Sequence, residues 1–348
     1  MSQVLKSKDA KHKTFEEYDN EIKINFDSDQ TYQALLMLQE LQILYAEGQL
    51  KSQNEEMTID KQYQEFQEQF HIKRLLRNQE INRLRFTQIQ GDLPNWEKFI
   101  DEPGKKLYFK NEKGYKFLTQ FIELELEANY MDLLVLFHEA DLMKKWVPTV
   151  TQSDILLQYN SFRQLMYQQF NPPWPFKARE AYIEIAAWEV PEEQILVFSF
   201  DSVPEGDWLG VNVKKNPKLV EMKWSSTFGY VKAISKDRTL FRYIIQADPQ
   251  FEFLPQNIID WALRTVTGGA LSFIQRTVKH LPDHYVKRRD SRKEYYQDIF
   301  DKTKSLREVY ENGDIQEEDK SSQSTIDNQQ LNSNEQPQYI TKDYDEEF

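Results

Sequence analysis

The chain has 348 residues, 39% hydrophobic and 14% aromatic, enough apolar material for a sizeable core. Five His and no Cys exclude a disulfide-stapled fold and leave too few ligands for a structural zinc site. The net charge of −13 is concentrated at the end: from Glu311 onward 11 Asp/Glu face two Lys, so the other 310 residues are near balance and offer no basic face for nucleic acid.

The longest uncharged stretch, Gln164 to Phe176, is rich in Gln and Pro and falls short of the ~20 apolar residues of a membrane span. The first twenty residues lack an apolar segment and carry Asp9, Glu16 and Glu17, so they read as neither a secretory signal nor a transit peptide.

Residues 1–30 are polar and are expected to be disordered. From Thr31 to Ala46, Leu35, Leu38, Leu41 and Tyr45 share one helical face, and Gly48 ends that helix. A second helical stretch runs from about Met57 to Gln90 through Tyr63, Phe66, Phe70, Leu76 and Leu84. Its pattern breaks near Lys73 and Arg74, so 31–92 reads as a helical hairpin rather than a long coiled coil. The turn-rich "GDLPNW" closes it.

The pattern then changes to alternation. "KKLYFK" and "KFLTQFIELELEA" read as strands, the second with Ile122, Leu124 and Leu126 on one face and Glu123, Glu125 and Glu127 on the other. A helix follows over "NYMDLLVLFHEADLMKKWVP". Six further period-2 stretches come next, from "DILLQYN" to "TLFRYIIQA", each bounded by Pro, Gly, Asn or Asp. A long helix of roughly two dozen residues closes this part, with Gly268 and Gly269 in its middle. The expected class is α+β, not doubly wound α/β. After Pro282, residues 283–312 are expected to form a charged, solvated helix, and 313–348 an acidic disordered tail.

Catalytic motifs are wanting. "HEADL" has the first His and the Glu of the zinc motif H-E-x-x-H, but Leu142 stands where the second His belongs. "TGGAL" lies inside a helical pattern rather than after a strand, so it is no phosphate loop. Neither a metal nor another cofactor is expected.

Four stretches in order carry a resemblance to a family. "MDLLVLFHEADLMKKWVP" resembles its helix ending in Trp before the next strand. "NPPWPFKARE" is similar to its P-x-x-x-R-D entry into a central strand, with Glu180 where Asp is usual. "QADPQFEFLPQNIIDW" resembles its junction into the closing helix, with Asp260 and Trp261 in place of commoner residues, and the long helix then ends the domain. The family is that of the START (StAR-related lipid-transfer) domains, and the resemblance spans about Asn95 to Leu281. It implies a helix-grip fold over 93–282: a curved antiparallel sheet wrapped around the C-terminal helix, enclosing an apolar cavity. It also implies a single lipid or sterol in that cavity, a closing helix and loops that move to admit it, and no catalysis. The protein is then expected in the cytoplasm, peripheral to membranes.

The residues take roles within that frame. Trp146, Trp224, Trp261, Phe198 and Phe273 are candidates for the cavity wall. Arg179 and Arg242 are candidates for the lipid's polar head or for ion pairs, with Glu184 and Asp201 as candidate partners, since a buried Arg needs one. The loop 203–218 presents Trp208 and Leu209 before Lys214 and Lys215, which suits either a membrane surface or a lid over the cavity mouth. Gly268 and Gly269 either let the helix flex or let a neighbour approach closely. His138 is the one candidate for a general acid or base if the fold housed an enzyme. The partners expected are a phospholipid, sterol or other single lipid, a transient membrane surface, and a protein meeting helices 31–90. The rival reading is a scaffold whose container has lost its ligand.

Overall fold

The computed structural model describes residues 13–312, apart from 55, 86–87, 90–95, 114–116, 148, 173–176, 249 and 251–254. The expectations for residues 1–12, the acidic tail and much of the "NPPWPFKARE" and "QADPQFEFLPQNIIDW" junctions lie outside the described residues.

The helices are α1 Phe15–Asp27, α2 Thr31–Ala46, α3 Ile59–Gln67, α4 Phe70–Arg85, α5 Tyr130–His138, α6 Gln256–Lys279, α7 Asp283–Ser291, α8 Lys293–Lys302 and α9 Lys304–Asn312. The strands are β1 Glu97–Glu102, β2 Lys105–Lys110, β3 Thr119–Leu126, β4 Val150–Asn160, β5 Arg163–Phe170, β6 Arg179–Val190, β7 Ile195–Ser202, β8 Gly206–Trp208, β9 Val211–Val213, β10 Val220–Glu221, β11 Lys223–Trp224, β12 Thr227–Ser235, β13 Arg238–Ile245 and β14 Ala247–Asp248.

One sheet organises the chain, in the order β1-β2-β3-β13-β12-β7-β6-β5-β4, with every neighbouring pair antiparallel. Short β10 adds a parallel pairing to the start of β6. Because side chains alternate along a strand, the sheet has two apolar faces. The inner face carries Ile122, Leu124, Leu126, Leu196, Phe198, Val231 and Phe241, packed with α5, α6 and the C-terminal helices. The outer face carries Phe121, Ala186, Trp188, Val197, Phe228, Tyr230 and Ile244, packed with α1–α4.

Three features differ from the sequence expectation. Where residues 13–30 were expected to be disordered, α1 forms behind a capping box. Thr14 Oγ1 accepts from the Glu17 amide and the Glu17 carboxylate accepts from the Thr14 amide. Phe15, Tyr18, Ile22 and Phe26 lie on one helical stripe and are all buried. Polar residues outnumber apolar ones in this segment, but the few apolar ones are correctly spaced.

The helix over 129–148 stops at His138 and continues as a 3-10 turn, Ala140–Lys145. Glu139 sits at the break and is 0% exposed. It accepts from Arg288 (2.8 Å), Arg292 (2.7 Å) and the Tyr296 hydroxyl (2.6 Å). A buried carboxylate needs such donors, and Glu139 meets them at the point where the helix breaks.

Residues 283–312 are three short helices rather than one solvated helix, and they bury Tyr285, Tyr296, Ile299, Leu306 and Val309 in the inner core. Glu139 ties α7 and α8 to α5. Replacing Glu139 with Ala strips the acceptor from Arg292 and the Tyr296 hydroxyl, while Arg288 keeps Asp141 at 2.9 Å, and should cost about 3 kcal/mol. Chemical denaturation followed by tryptophan fluorescence tests this; a loss under ~1 kcal/mol would remove Glu139 as the anchor.

Candidate functional site

The inner face encloses a cavity of about 50 Å³. Its walls come from the Leu134, Phe137 and His138 end of α5, the β4–β5 turn at Ser161–Phe162, and the inner positions Ile185, Ala187, Phe198, Phe200, Val231 and Phe241 of four strands. The lining is nearly all hydrocarbon. Half-buried apolar side chains (Ile155, Trp224, Tyr243 and Ile245) continue this face away from the cavity.

The aromatic wall depends on a glycine. Gly229 of β12 pairs with Phe198 of β7 on one side and Tyr243 of β13 on the other. Phe198 stacks on Phe241 at 5.4 Å, and Phe241 meets Tyr243 at 4.6 Å. A Cβ at 229 would fall inside the contact radius of the Arg242 carbonyl oxygen and of Tyr243 Cβ, and backbone cannot swing aside. Aromatic rings crowding a strand glycine compensate for its missing side chain. Gly229→Ala should therefore destabilise by about 1–3 kcal/mol through overpacking. Unchanged stability in thermal unfolding would mean that β12 relaxes freely.

The β4–β5 turn is held from several sides. Asp29 accepts from the Ser161 and Phe162 amides, at 3.1 and 3.3 Å, and pairs with Lys302 at 2.7 Å. His138 reaches the same turn. Its Nδ1 lies 2.9 Å from the Leu134 carbonyl oxygen and its Nε2 lies 3.0 Å from that of Ser161. Burial pushes the His138 pKa below its ordinary value. Both nitrogens face backbone acceptors, so neither is turned to the cavity as a free base.

The sequence-predicted residues scatter. Phe198 lines the cavity. Trp224 adjoins it, 6.2 Å from Phe200. Glu184 and Asp201 are on the outer face. Glu184 bonds Arg163 there and pairs with Arg74 of α4 at 2.8 Å, while Asp201 accepts from Arg77 at 2.8 Å. Arg242 is also outward, bound to Glu123 and donating to the Tyr230 hydroxyl at 2.9 Å. The cause is parity: Glu184, Asp201 and Arg242 occupy the strand positions opposite those of Ile185, Phe200 and Phe241. Arg179 is buried at the start of β6 and donates to the Lys177 carbonyl. Trp146 and Phe273 stack on each other at 5.8 Å where α6 meets the 3-10 turn, and Trp146 Nε1 donates to the Tyr285 hydroxyl at 2.7 Å. Trp261 faces solvent, 66% exposed.

The 203–218 loop contains the hairpin β8–β9, and its tryptophan turns inward. Trp208 is 6% exposed, packed with Leu165, Val203 and Val213, and edge-on to Phe70 of α4 at 5.5 Å. Leu209 is exposed, the Lys214 carbonyl accepts from Tyr182, and Lys215 pairs with Glu221 at 2.9 Å. Gly268 and Gly269 sit in an unbroken helix. A Cβ at 268 would make ordinary contact with Phe99 and Ile100, and one at 269 would meet nothing within 4 Å. Close packing therefore does not require either glycine.

Among the described residues no group of acidic or His side chains could hold a metal ion, and no helix is long and apolar enough to cross a membrane. Gln164, discussed below, went unnoticed in the sequence because a glutamine in a strand signals nothing until the facing is known.

No known family's sequence pattern matches the chain. No curated protein is similar enough in sequence to match. Solved structures do match. Human STARD10 is 14% identical, with a TM-score of 0.53 over 63% of this chain and 86% of that one. Human StAR-related lipid transfer protein 5 is 13% identical, with a TM-score of 0.49 over 58% and 94%. A STAR-related lipid transfer protein fragment from Xanthomonas axonopodis is 18% identical, with a TM-score of 0.45 over 53% and 99%. At these identities the likeness is one of architecture: the chain has the α+β helix-grip fold of START domains.

Proposed function

We propose that the protein binds a single lipid or sterol on the inner face of its sheet and exchanges it at a membrane surface, without catalysis. The observation that carries the reading is an almost wholly apolar cavity between the sheet and α5. The helix-grip architecture that the chain shares with human STARD10 supports it.

At about 50 Å³ the cavity holds a few waters' worth of space, whereas ligand sites run to ~300–1,000 Å³. A lipid-sized guest does not fit this conformation without rearrangement. Loading requires the rings of Phe137, Phe198, Phe200 and Phe241 to turn and a cover to move. Helix α6 contributes no described residue to the cavity lining but covers the adjoining part of the inner face, and it is the cover most easily moved. Ile259, Leu271, Ile274 and Val278 are its buried residues. Polar threads supply much of the rest of its attachment: Arg264 to Glu97, Thr267 to Gln120, and Lys105 to Ser272. Its far side exposes Ile258, Trp261 and Val266. Lys144, Lys145 and Arg276 are exposed near the Trp146–Phe273 stack. Exposed apolar side chains with an indole toward one end of α6, and Lys and Arg toward the other, suit an interface with anionic lipid. The membrane contact expected at Trp208 is accordingly assigned to α6, and the protein to the cytoplasm and its membrane surfaces.

The small volume favours one rival, a scaffold that holds nothing. Native mass spectrometry of the purified protein, then of the denatured chain, separates them. A stoichiometric lipid released on unfolding is expected; a protein still empty after incubation with mixed liposomes would establish the scaffold. For the scaffold a partner would meet helices 31–90, although much of their apolar surface packs against the sheet.

The glycine pair gives a second test. Gly268→Ala with Gly269→Ala should raise helix stability by ~1 kcal/mol per site while slowing lipid exchange between vesicles several-fold. Faster or unchanged exchange would exclude a hinge there.

A further inference from the structure

Among the described residues, Gln164 presents a buried acceptor without a partner on the inner face, as the Trp224 indole N–H beside the cavity presents a buried donor. It lies on β5 opposite Ile185 of β6, is 3% exposed, and lines the cavity. Its carboxamide oxygen Oε1 is shut off from solvent and has no hydrogen-bond donor among the described residues. Gln168 Nε2 donates to Ser153 Oγ at 3.3 Å. Gln158 Nε2 donates to the Asn160 carbonyl at 2.5 Å. His138 has a carbonyl oxygen beside each ring nitrogen, and its neutral imidazole donates to one of the two. Buried acceptors without donors are uncommon, and each calls for a reason.

The geometry points to Gln164 as the residue that receives the ligand's polar end, and to a neutral hydrogen-bond donor, a hydroxyl, as what that end carries. The inference rests on the container reading above. Charge supports it independently. Arg163 is the one cationic residue along the lining, and its guanidinium stands on the outer face over the Phe26 ring at 4.9 Å, bound to Glu184. A carboxylate or phosphate beside Gln164 would enter an apolar space with no counter-charge. A hydrocarbon or an ether would leave Oε1 unpaired. A hydroxyl supplies the missing donor and brings no charge. The selecting group is therefore a carboxamide on β5, not the Arg–carboxylate pairs of Glu184, Asp201 and Arg242, which face the helices of the outer layer.

The test uses three probes of matched length, decan-1-ol, its isomer 1-methoxynonane and decanoate, titrated calorimetrically into the full-length protein and into Gln164→Leu. The wild type should bind decan-1-ol about tenfold more tightly than the ether, as one hydrogen bond allows, and decanoate more weakly still. Gln164→Leu should lose that preference, bind the ether at least as well as the wild type does, and unfold at a higher temperature because its orphan acceptor is gone. Equal wild-type affinity for alcohol and ether, or a preference that survives in Gln164→Leu, overturns the assignment and leaves the container standing. Failure of all three probes, together with a protein that stays empty after liposome incubation, removes the container reading and the assignment with it.

Discussion

A single sheet that is apolar on both faces governs the rest of the structure. Strand β12 sets Phe228 and Tyr230 outward and Val231 inward, and β7 sets Val197 outward and Leu196 and Phe198 inward. Antiparallel sheets commonly leave one face to water; this one cannot, because Trp188, Phe228 and Ile244 would then be exposed. Two covers are required. Helices α1–α4 supply the outer one, and α5–α9 the inner. The ion pairs follow from the same requirement. Glu184, Asp201 and Arg242 stand at outward positions beneath a helical layer, where a charge needs a partner, and Arg74, Arg77, Arg163 and Glu123 are those partners.

The covers are fastened differently. Outside, Arg85 grips Glu193 with two bonds of 2.6 and 2.7 Å, Asn82 accepts from Trp188, and Phe70 packs on Trp208 and Tyr159. The inner cover is firm around Glu139 and the C-terminal helices but light along α6. Among the described side chains of that helix four apolar ones are buried, Ile259, Leu271, Ile274 and Val278, each contributing about 1.5–3 kcal/mol before ordering costs. Segments with few buried apolar contacts open at the lowest cost. Under the proposed exchange, movement of α6 would leave the outer layer and the sheet intact.

Much of this was legible in the sequence. Period-2 alternation located β2, β3, β5, β6, β7 and β13 within a few residues, and the closing helix ends near Pro282 as its pattern implied. Facing was harder to read. On β3 the alternation of Ile122, Leu124 and Leu126 with Glu123, Glu125 and Glu127 fits a strand with one wet face, yet Glu123 is 7% exposed beneath the outer layer. Arg242 and Glu184 looked like cavity groups and lie beneath the same layer. The N-terminal layer was half read. The spacing of Leu35, Leu38 and Leu41 announced a helix, but not that its partner is a sheet face distant in sequence. Trp208 was misleading because an indole beside lysines suits a lipid surface as well as it suits a hairpin folded onto α4. Only tertiary context separates the two.

The glycine pair in α6 can now be weighed. Neither glycine has a positive φ, and neither takes a neighbour that a methyl group would exclude. In this structure both could be alanine, and the helix would gain ~1 kcal/mol at each. A penalty with no packing return in one state points to a return in another. Flexing at 268–269 would let the N-terminal half of α6, which carries Ile258, Trp261 and Val266, leave the sheet while Leu271, Ile274 and Val278 keep the C-terminal half in the core. On that reading the polar threads to Glu97 and Gln120 break first, because Arg264 and Thr267 lie on the mobile side of the pair, and Lys105 with Ser272 stays on the fixed side. The half that moves is then the half with the exposed tryptophan, so a membrane that draws in Trp261 would pull on the helix where it is least firmly held.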